Sequence, residues 1–396
     1  MRRAPSAARE ALQELEGRAL RRRRRCVQGF TRPGLSTHVI VDGRASLNFC
    51  SNDYLGLARD PRLAEAMGRA AAASGSGSGA AHLVTGHGAE HHALEEELAA
   101  FTGREAALLF STGYMANLGA LTALAGRGEG VLQDRLNHAS LLDAARLAGA
   151  DLQRYAHLCV GDAAQRLEAA GGRCTVLATD GVFSMDGDLA PLPQLAGLAR
   201  DHAAWFVVDD AHGLGVLGPG GRGSVLAAGL DEAAVPLLVG TLGKSFGSFG
   251  AFVAGPADLV ELVMQRARSY IYTTALPPPV AAATRAALRI AEAESWRRQV
   301  LAQHVAAFRS GARERGLALG DSTTPIQPLL VGDAALALQA SQRLFEAGYW
   351  VAAIRPPTVP AGTARLRVTL TAGHTTAEVE GLLDALVRVL PPREPS

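Results

Sequence analysis

Short apolar segments alternate with longer segments rich in alanine and leucine between residues 105 and 255. The short segments have the length and composition of strands that are buried on both faces, and the longer ones have the apolar spacing of helices. The predicted strands are 106–110, 130–133, 175–179, 205–209, 237–240 and 251–254. This alternation predicts an α/β fold in which helices cover both faces of a large, mostly parallel sheet.

The chain after this region follows a different pattern. Three consecutive prolines after Leu276 cannot continue a helix or a central strand, so they mark a change of direction, and a long helix is predicted from about Val280. Predicted strands then occur at 326–331, 350–354 and 364–369. We therefore expect an N-terminal helix and arm, a large domain and a smaller α+β C-terminal domain, at residues 1–50, 51–280 and 281–396.

Composition narrows the class of protein. With 396 residues, of which 48% are hydrophobic and 19% charged, the chain should be globular and form two or three domains. A net charge of +1 and the lack of a long apolar run give no reason to expect a nucleic-acid or membrane partner. The four cysteines have no metal-ligand spacing, so we expect no metal site and a reducing, cytoplasmic environment.

Five consecutive arginines stand at positions 21–25, at the end of a helix predicted for residues 6–25. Such a run usually forms a solvated helix end, and its lack of aromatic residues argues against nucleic-acid binding. Binding of an anionic substrate group by one of these arginines is the functional alternative. Glutamates interrupt the basic segment and no apolar stretch follows, so the segment does not fit a secretory signal.

Chemically active side chains follow two neighbouring predicted strands. Asp209 and His212 come at the end of the strand 205–209, and Lys244 lies in a glycine-rich turn after the next strand. Because the carboxyl ends of parallel strands meet at one edge of a sheet, we expect the three side chains to lie together. A lysine can form an imine with an aldehyde, and an aspartate can keep a pyridinium nitrogen protonated. The combination predicts a site for pyridoxal phosphate (PLP).

Two further strand ends fit the same cofactor. The segment 111–117 opens a helix directly after a strand, and backbone N–H groups at a helix start near Gly113 can bind a phosphate. An ordinary helix cap is the alternative there. His138 also follows a predicted strand, and its flat ring can stack on a pyridine ring.

A phosphate-binding loop of an ATPase is a competing interpretation of the lysine turn, because Gly243, Lys244 and Ser245 imitate its last three residues. That loop needs a glycine six residues before the lysine, and the residue there is Leu238. The ATPase is therefore the weaker hypothesis. A non-catalytic protein of the same fold is a third, opposed by the presence of the lysine, the aspartate and the histidine together.

Several motifs together resemble the α-oxoamine synthases, PLP-dependent transferases of fold type I, and the resemblance covers nearly the whole chain. The matching stretches are SNDYLGL at 51–57, HHALEEEL at 91–98, DGVFSMDGDLAPL at 180–192, DDAHG at 209–213 and TLGKSFG at 241–247. The stretch 353–371 is most similar to members that condense L-alanine with a pimeloyl thioester of coenzyme A or of an acyl carrier protein. Relatives that use glycine or serine, such as 5-aminolevulinate synthase, 2-amino-3-ketobutyrate ligase and serine palmitoyltransferase, remain alternatives.

The resemblance implies a role for individual residues. Lys244 would bind the cofactor covalently, Asp209 would bind its pyridine nitrogen and His138 would stack on its ring, and these three form the catalytic set. The other implied cofactor-binding residues are Gly113, Tyr114, Ser184, His212, Thr241, Thr273 and Thr274. The implied substrate-binding residues are Arg355, Thr358 and one of Arg21 and Arg22. Thr273 and Thr274 match a position that reaches the phosphate from the second subunit, so a homodimer with active sites at the subunit interface is implied.

One position departs from the family pattern. Close relatives usually have a glutamate where this chain has Asp180. The carboxylate is kept with a shorter reach, so we expect its contact to be altered or carried by a water molecule.

Overall fold

The structure is a computed structural model that describes residues 5–390. The chain divides into two compact units. The first contains the described residues up to Asn52, the segment Met185–Gly187 and the described residues from Gln299 onward, and the second contains Asp53–Ser184 and Asp188–Arg298. The three-part division at residues 50 and 280 stays a prediction.

The strands of the described residues are β1 (Val27–Phe30), β2 (His38–Val41), β3 (Arg44–Asn48), β4 (Ala106–Phe110), β5 (Gly130–Asp134), β6 (Asp151–Tyr155), β7 (Cys174–Asp180), β8 (Trp205–Asp209), β9 (Leu237–Thr241), β10 (Ala251–Gly255), β11 (Ile326–Gly332), β12 (Tyr349–Trp350), β13 (Ala352–Ile354) and β14 (Ala364–Thr369). The α-helices are α1 (Pro5–Gly17), α2 (Pro61–Ser74), α3 (Ala89–Thr102), α4 (Gly113–Leu124), α5 (Ala139–Ala148), α6 (Val160–Ala170), α7 (Leu192–Asp201), α8 (Ser224–Ala227), α9 (Ala257–Arg266), α10 (Arg268–Ile271), α11 (Pro278–Ala293), α12 (Trp296–Glu314), α13 (Ala334–Glu346) and α14 (Thr376–Val389). A π-helical turn (His82–Gly86) and a 3₁₀ turn (Pro219–Gly221) complete the set.

A seven-stranded sheet forms the centre of the second unit, in the order β4-β10-β9-β8-β7-β5-β6. Strands β5 to β9 pair in parallel, and β10 runs antiparallel to both β4 and β9. The predicted mostly parallel sheet is therefore confirmed. The sequence pattern did not indicate β6, because this edge strand is polar and only partly buried, so it lacks the apolar run of a central strand.

Helices cover both faces of this sheet, as predicted. Side chains alternate along each strand, so Phe206 and Val208 of β8 join one buried cluster and Val207 joins the other. The first cluster also contains apolar residues of α3, α6, α7 and α11, and the second contains those of α4, α5 and α9. Burial on both faces explains why the strands between them are apolar without interruption.

The first unit contains two smaller sheets. Strands β11, β14 and β13 form an antiparallel sheet that confirms the α+β character predicted for the C-terminal region. The other sheet has the order β1-β2-β3-β12. The predicted strand 350–354 is divided between the two sheets, since Tyr349 and Trp350 pair with β3 whereas Ala352–Ile354 pair with β14. The short strands β1 to β3 were not anticipated from the sequence.

One predicted helix boundary was wrong, whereas the helix predicted from about Val280 does begin there, at Pro278. Helix α1 ends at Gly17 rather than at residue 25, and Ala19 has a left-handed φ of 54°. Arginines at 21–25 would repel one another at helical spacing, and in the extended segment Arg21 and Arg23 instead pair with Glu16. Helix α11 begins at Pro278 because proline is tolerated in the first helical turn, where its missing N–H is not needed. Among the described residues, no helix is long and apolar enough to cross a membrane.

The turn after β9 requires glycine at position 247. Gly247 has a φ of +62°, its N–H donates to the carbonyl oxygen of Lys244 at 2.9 Å, and a β-carbon there would collide with the backbone of Ala58. Gly229 has a similar φ of +72°, but a β-carbon there would meet no atom within 4 Å. Alanine substitutions at these two positions therefore separate the loss of stability caused by backbone strain from the loss caused by a steric collision.

We expect Gly229→Ala to lower the free energy of unfolding by about 1 kcal/mol, the usual cost of a left-handed residue with a side chain. Gly247→Ala should lower it by about 1–3 kcal/mol more, because the adjoining backbone must also move. Urea titrations of both variants and the unaltered chain measure the difference. Equal losses in the two variants would show that the turn can relax around the added methyl group.

Candidate active site

A cavity of about 220 Å³ opens where β7, β8 and β9 end. It lies within the second unit. Among the residues that line it are eight of the ten predicted cofactor-binding residues: Gly113, Tyr114, His138, Ser184, Asp209, His212, Thr241 and Lys244. The expectation that strand ends gather these side chains is met by the geometry.

Asp209 is a buried carboxylate at the last position of β8, with only 8% of its surface exposed. Its Oδ2 accepts a hydrogen bond from Asn117 Nδ2 at 2.6 Å, and its Oδ1 accepts one from the backbone N–H of Ala211 at 3.0 Å. Asn117 also donates to Ser140 Oγ at 2.8 Å. These donors compensate the carboxylate for lost water and hold it at the cavity wall.

Lys244 is joined to His212 and through it to Tyr54. The Nζ of Lys244 lies 3.0 Å from His212 Nε2, and His212 Nδ1 lies 2.6 Å from the hydroxyl oxygen of Tyr54. When the ammonium group of the lysine donates, Nε2 accepts, and the neutral imidazole donates from Nδ1 to Tyr54. The chain of three groups fixes the lysine amine and the tautomer of the imidazole together.

His138 and Asp180 form a second polar pair on the cavity wall. The backbone N–H of His138 donates to Asp180 Oδ2 at 3.1 Å, and His138 Nδ1 lies 2.7 Å from Ser140 Oγ. Burial lowers the pKa of His138, so the neutral ring is favoured. Burial, and next the charge of Asp209, raise the pKa of Asp180 well above its ordinary value, and its Oδ1 is buried without a hydrogen-bond partner in the described residues.

The start of α4 supplies anion-binding groups, and Thr241 lies nearby on the cavity wall at the end of β9. Thr112 caps α4 by accepting from Met115 N at 3.2 Å, and a β-carbon on Gly113 would meet no atom within 4 Å. The first N–H groups of a helix have no partner within the helix, so the start of α4 beside Gly113 can bind an anion. At the end of β9, the hydroxyl of Thr241 donates to the carbonyl oxygen of Gly250 at 3.2 Å.

These groups match the chemistry of PLP. The cavity presents an amine for an aldehyde, a carboxylate for a pyridine nitrogen, a neutral imidazole for a ring face and a helix start for a phosphate. Two oxygen atoms, Asn117 Oδ1 and Asp180 Oδ1, are buried without hydrogen-bond partners in the described part of the chain. The residues present therefore fit this cofactor.

The remaining predicted site residues are not among the residues that line this cavity. Thr273 and Thr274 follow α10 and are not among the residues that line the cavity of their own chain. The four substrate-binding candidates belong to the first unit and lie close together there. Arg22 donates to Thr358 Oγ1 at 3.0 Å, and the guanidinium group of Arg355 donates to the carbonyl oxygens of Ala19 and Arg21.

Three signals in the sequence were missed. Tyr54 lies in the SNDYLGL motif, and Asn117 is the single amide in the mostly apolar helix α4. The strongest missed signal is that Lys244 is the only lysine in the 396 residues, against 38 arginines. The one lysine of the sequence thus lines the cavity.

His157 supports the segment that carries Ser184. Its Nδ1 lies 2.9 Å from Asp134 Oδ1 at the end of β5, and its Nε2 lies 2.7 Å from Asp188 Oδ2. Burial opposes the charged form, but hydrogen bonds to the two carboxylates outweigh it and raise the pKa of His157 to about 9. At neutral pH a charged imidazole therefore ties β5 to the segment after Ser184.

Comparison with known proteins identifies relatives of the whole chain. The family model of aminotransferase class I and II matches residues 44–386. The chain is 58% identical over 379 residues to the 8-amino-7-oxononanoate synthase of Thioalkalivibrio sulfidiphilus, and the aligned region covers 95% of each chain. It is 62% identical over 350 residues to the enzyme of the same name from Alkalilimnicola ehrlichii, covering 88% of this chain and 90% of that one.

A solved structure shares the fold over nearly the same span. A serine palmitoyltransferase from S. paucimobilis with bound PLP–myriocin aldimine aligns with a TM-score of 0.91 and 32% identity, covering 97% of this chain and 96% of the other. The chain is thus markedly more similar in sequence to the oxononanoate synthases than to this structural neighbour.

We expect the His157 ion pair to make stability depend on pH in the alkaline range. Because the folded pKa of about 9 exceeds the ordinary value of 6.5, the stabilisation is fully present below pH 6.5 and is lost as pH rises through 9. Its maximum is about 3 kcal/mol. Urea unfolding of His157→Gln and of the unaltered chain at several pH values from 6 to about 10 measures it.

His202→Gln is the matched control, since His202 lies at the end of α7 without a carboxylate partner among the described residues. The difference between the unaltered chain and His157→Gln should shrink as pH rises through 9, and by more than the difference for the control changes. A pH-independent cost of His157→Gln would contradict the charged state assigned to this imidazole.

Proposed function

The chain belongs to the aminotransferase class I and II family, and we propose that it catalyses the 8-amino-7-oxononanoate synthase reaction. It has the PLP-dependent fold type I and uses PLP as its cofactor. In the proposed reaction L-alanine condenses with a pimeloyl thioester, carbon dioxide and the thiol are released, and a step of biotin biosynthesis is completed. Membership of this family of PLP-dependent enzymes argues against the ATPase hypothesis and the non-catalytic hypothesis.

One observation carries the catalytic part of the proposal: the only lysine in the sequence lies at the cavity, within 3.0 Å of His212. Arginine can replace lysine in surface ion pairs, but its guanidinium group does not lose a proton in proteins and cannot act as an amine nucleophile. The single lysine of the chain therefore lies where amine chemistry is needed. The 58–62% identity to oxononanoate synthases favours this reaction over those of the glycine- and serine-using relatives.

In this proposal, the residues that line the cavity would each contact a different part of the cofactor. Lys244 would hold the aldehyde carbon, Asp209 the pyridine nitrogen and His138 a ring face. His212 and Ser184 would lie beside the ring oxygen, and Gly113, Tyr114 and Thr241 would lie at the phosphate end. When bound, PLP supplies an electron sink that stabilises negative charge on the amino-acid Cα.

Asp209 would keep the pyridine nitrogen protonated. Asn117 and the backbone N–H of Ala211 donate to the two oxygens of Asp209 and hold this side chain at the cavity wall. Lys244 would have a second role once alanine is bound, because its released amine can accept the Cα proton. His212, 3.0 Å from Nζ, would orient that amine.

Substrate binding is assigned to the cluster of arginines and threonine in the first unit. Arg355 would bind the carboxylate of alanine, and Thr358 with Arg22 or Arg21 would contact the pimeloyl chain. The bond between Arg22 and Thr358 supports a joint role for these two residues. A carboxylate held by a guanidinium group would set the orientation of the Cα–H bond for proton removal.

We also propose that the enzyme is a cytoplasmic homodimer with active sites at the subunit interface. Large apolar side chains near Thr273 and Thr274 are exposed in the single chain: Tyr272 by 69% and Val84 by 74%. The hydrogen bond from Ala275 N to Ala80 O joins the segments that carry them. Such exposure favours a covering partner. The four unpaired cysteines agree with a reducing compartment.

The N-terminal segment carries an unusual share of positive charge, which would suit the anionic carrier of the thioester. Residues 1–50 contain eleven arginines and four carboxylates, a net charge of +7, so the other 346 residues carry −6. Arg24 is exposed and lies in the arginine run two residues after Arg22. Coenzyme A and acyl carrier proteins are both anionic, so the run would raise the local concentration of either.

We expect Lys244→Arg to lower the rate of thiol release from pimeloyl-CoA with L-alanine at least about a hundredfold, because the charge is kept but the amine chemistry is lost. Reduction of the unaltered holoenzyme with borohydride should attach one PLP to the peptide that contains Lys244. Intact-mass and peptide-mass measurements detect it. Glycine and serine should release much less thiol than alanine.

Arg200→Lys is the control, since it adds a second, exposed lysine that should remain unlabelled and leave turnover unchanged. Labelling of the peptide that contains position 200 in this variant, or normal turnover by Lys244→Arg, would show that the amine chemistry is assigned to the wrong residue. Equal thiol release with glycine or serine would keep the cofactor chemistry and change the substrate.

We expect Arg24→Ser to raise the KM for the pimeloyl thioester about two- to fivefold at low salt, as is usual for one exposed charge, and to leave the KM for alanine unchanged. The effect should fade as salt screens the charge. Steady-state kinetics at two salt concentrations measure it, with Arg200→Ser as the control. An equal change in both KM values, or no change in either, would show that the arginine run does not contribute to binding of the carrier.

A further inference from the structure

A group of histidine and glutamate side chains lies around the start of α3, apart from the residues that line the cavity. His87 Nε2 lies 3.8 Å from Glu95 Oε2. His87, His92 and Glu95 each offer one ligand atom, and these three atoms lie within 4.8 Å of one another. Cysteine spacing gave no indication of a metal site, but imidazole and carboxylate groups are metal ligands as well.

The arrangement of the three side chains is close to that of a three-ligand metal site. His92 and Glu95 are three residues apart on α3 and so project from the same face, while His87 comes directly after the π-helical turn His82–Gly86. Ligand atoms about 2.1 Å from a tetrahedral ion are about 3.4 Å apart. The 3.8 Å separation of His87 and Glu95 nearly meets this distance. His92 has an exposed side chain, so rotation about its side-chain bonds can bring it in.

Other groups already orient two of the three ligands. His87 Nδ1 lies 3.0 Å from His82 Nδ1, so an Nδ1–H on His87 can donate there and leave the lone pair of Nε2 for a ligand. His82 is itself held by stacking on Tyr270, with ring centres 5.0 Å apart. Glu95 Oε1 accepts from the backbone N–H of Leu109 at 2.9 Å, which turns Oε2 toward His87. Metal-binding residues are commonly oriented by such second partners.

We propose that His87, His92 and Glu95 bind a divalent transition-metal ion such as Zn²⁺, with a water molecule as the fourth ligand. Two imidazoles and one carboxylate suit zinc, cobalt or nickel, whereas magnesium and calcium prefer oxygen ligands alone. The bound ion ties the π-helical turn to α3 and so stabilises the second unit. The site does not depend on the reaction proposed above.

Equilibrium dialysis of the untagged holoenzyme against Zn²⁺, followed by metal analysis, tests the site. We expect one equivalent per chain, and at least about a tenfold loss of affinity in His87→Ala and in His92→Ala. His202→Ala is the matched control, because His202 lies at the end of α7 and is not one of the three ligands. This control should bind Zn²⁺ as the unaltered chain does.

Two further measurements identify the ligands and separate this site from the active site. Zn²⁺ should raise the melting temperature of the unaltered holoenzyme but not that of His92→Ala, and Mg²⁺ should raise neither. Electron paramagnetic resonance of bound Cu²⁺ should show coupling to two nitrogens, reduced to one in His92→Ala. Failure of the unaltered holoenzyme to retain Zn²⁺ would overturn the proposal. Zn²⁺ binding by His87→Ala and His92→Ala that is as tight as in the unaltered chain would also overturn it, because the ion would then be bound elsewhere.

Discussion

The arrangement of the cavity in the second unit depends on one buried carboxylate, that of Asp209. Asp209 ends the central strand β8, where water cannot compensate its charge, so hydrogen-bond donors must be built around it. Asn117 from α4 and the backbone of Ala211 supply them. The placement of α4 is therefore tied to the chemistry at the strand end. The same helix start presents Gly113 to the cavity, so one helix serves both the carboxylate and the anion-binding end.

The composition of the chain makes the role of the lysine unusually clear. Arginine and lysine can both supply the positive charge of a surface ion pair, and the sequence has arginine at 38 positions. They are not equivalent where an amine must lose its proton and attack a carbonyl carbon. The one remaining lysine is held by His212 and Tyr54, which are both buried. Composition and geometry thus point independently to the same nitrogen atom.

Much of the fold follows from local apolar pattern, and the exceptions have physical causes. The buried strands were recognisable because both of their faces pack against helices, whereas β6 was not, because an edge strand tolerates polar residues. The N-terminal helix was predicted too long, since periodicity takes no account of repulsion among five adjacent arginines. The prolines after Leu276 were recognised as a boundary, but the helix begins within them because its first turn needs no N–H donors.

The sequence alone determined the class of fold, the cofactor chemistry and most residues around the cavity, because strand ends and glycine turns are local features that place side chains predictably. Tertiary structure alone decided which groups support them. Asn117 reaches Asp209, and Tyr54 reaches His212, across 92 and 158 positions of the chain. His82, which orients His87, is itself held by Tyr270 from a distant helix. Hydrogen bonds and ring contacts between distant segments leave no periodic trace in the sequence, so only the folded chain could reveal them.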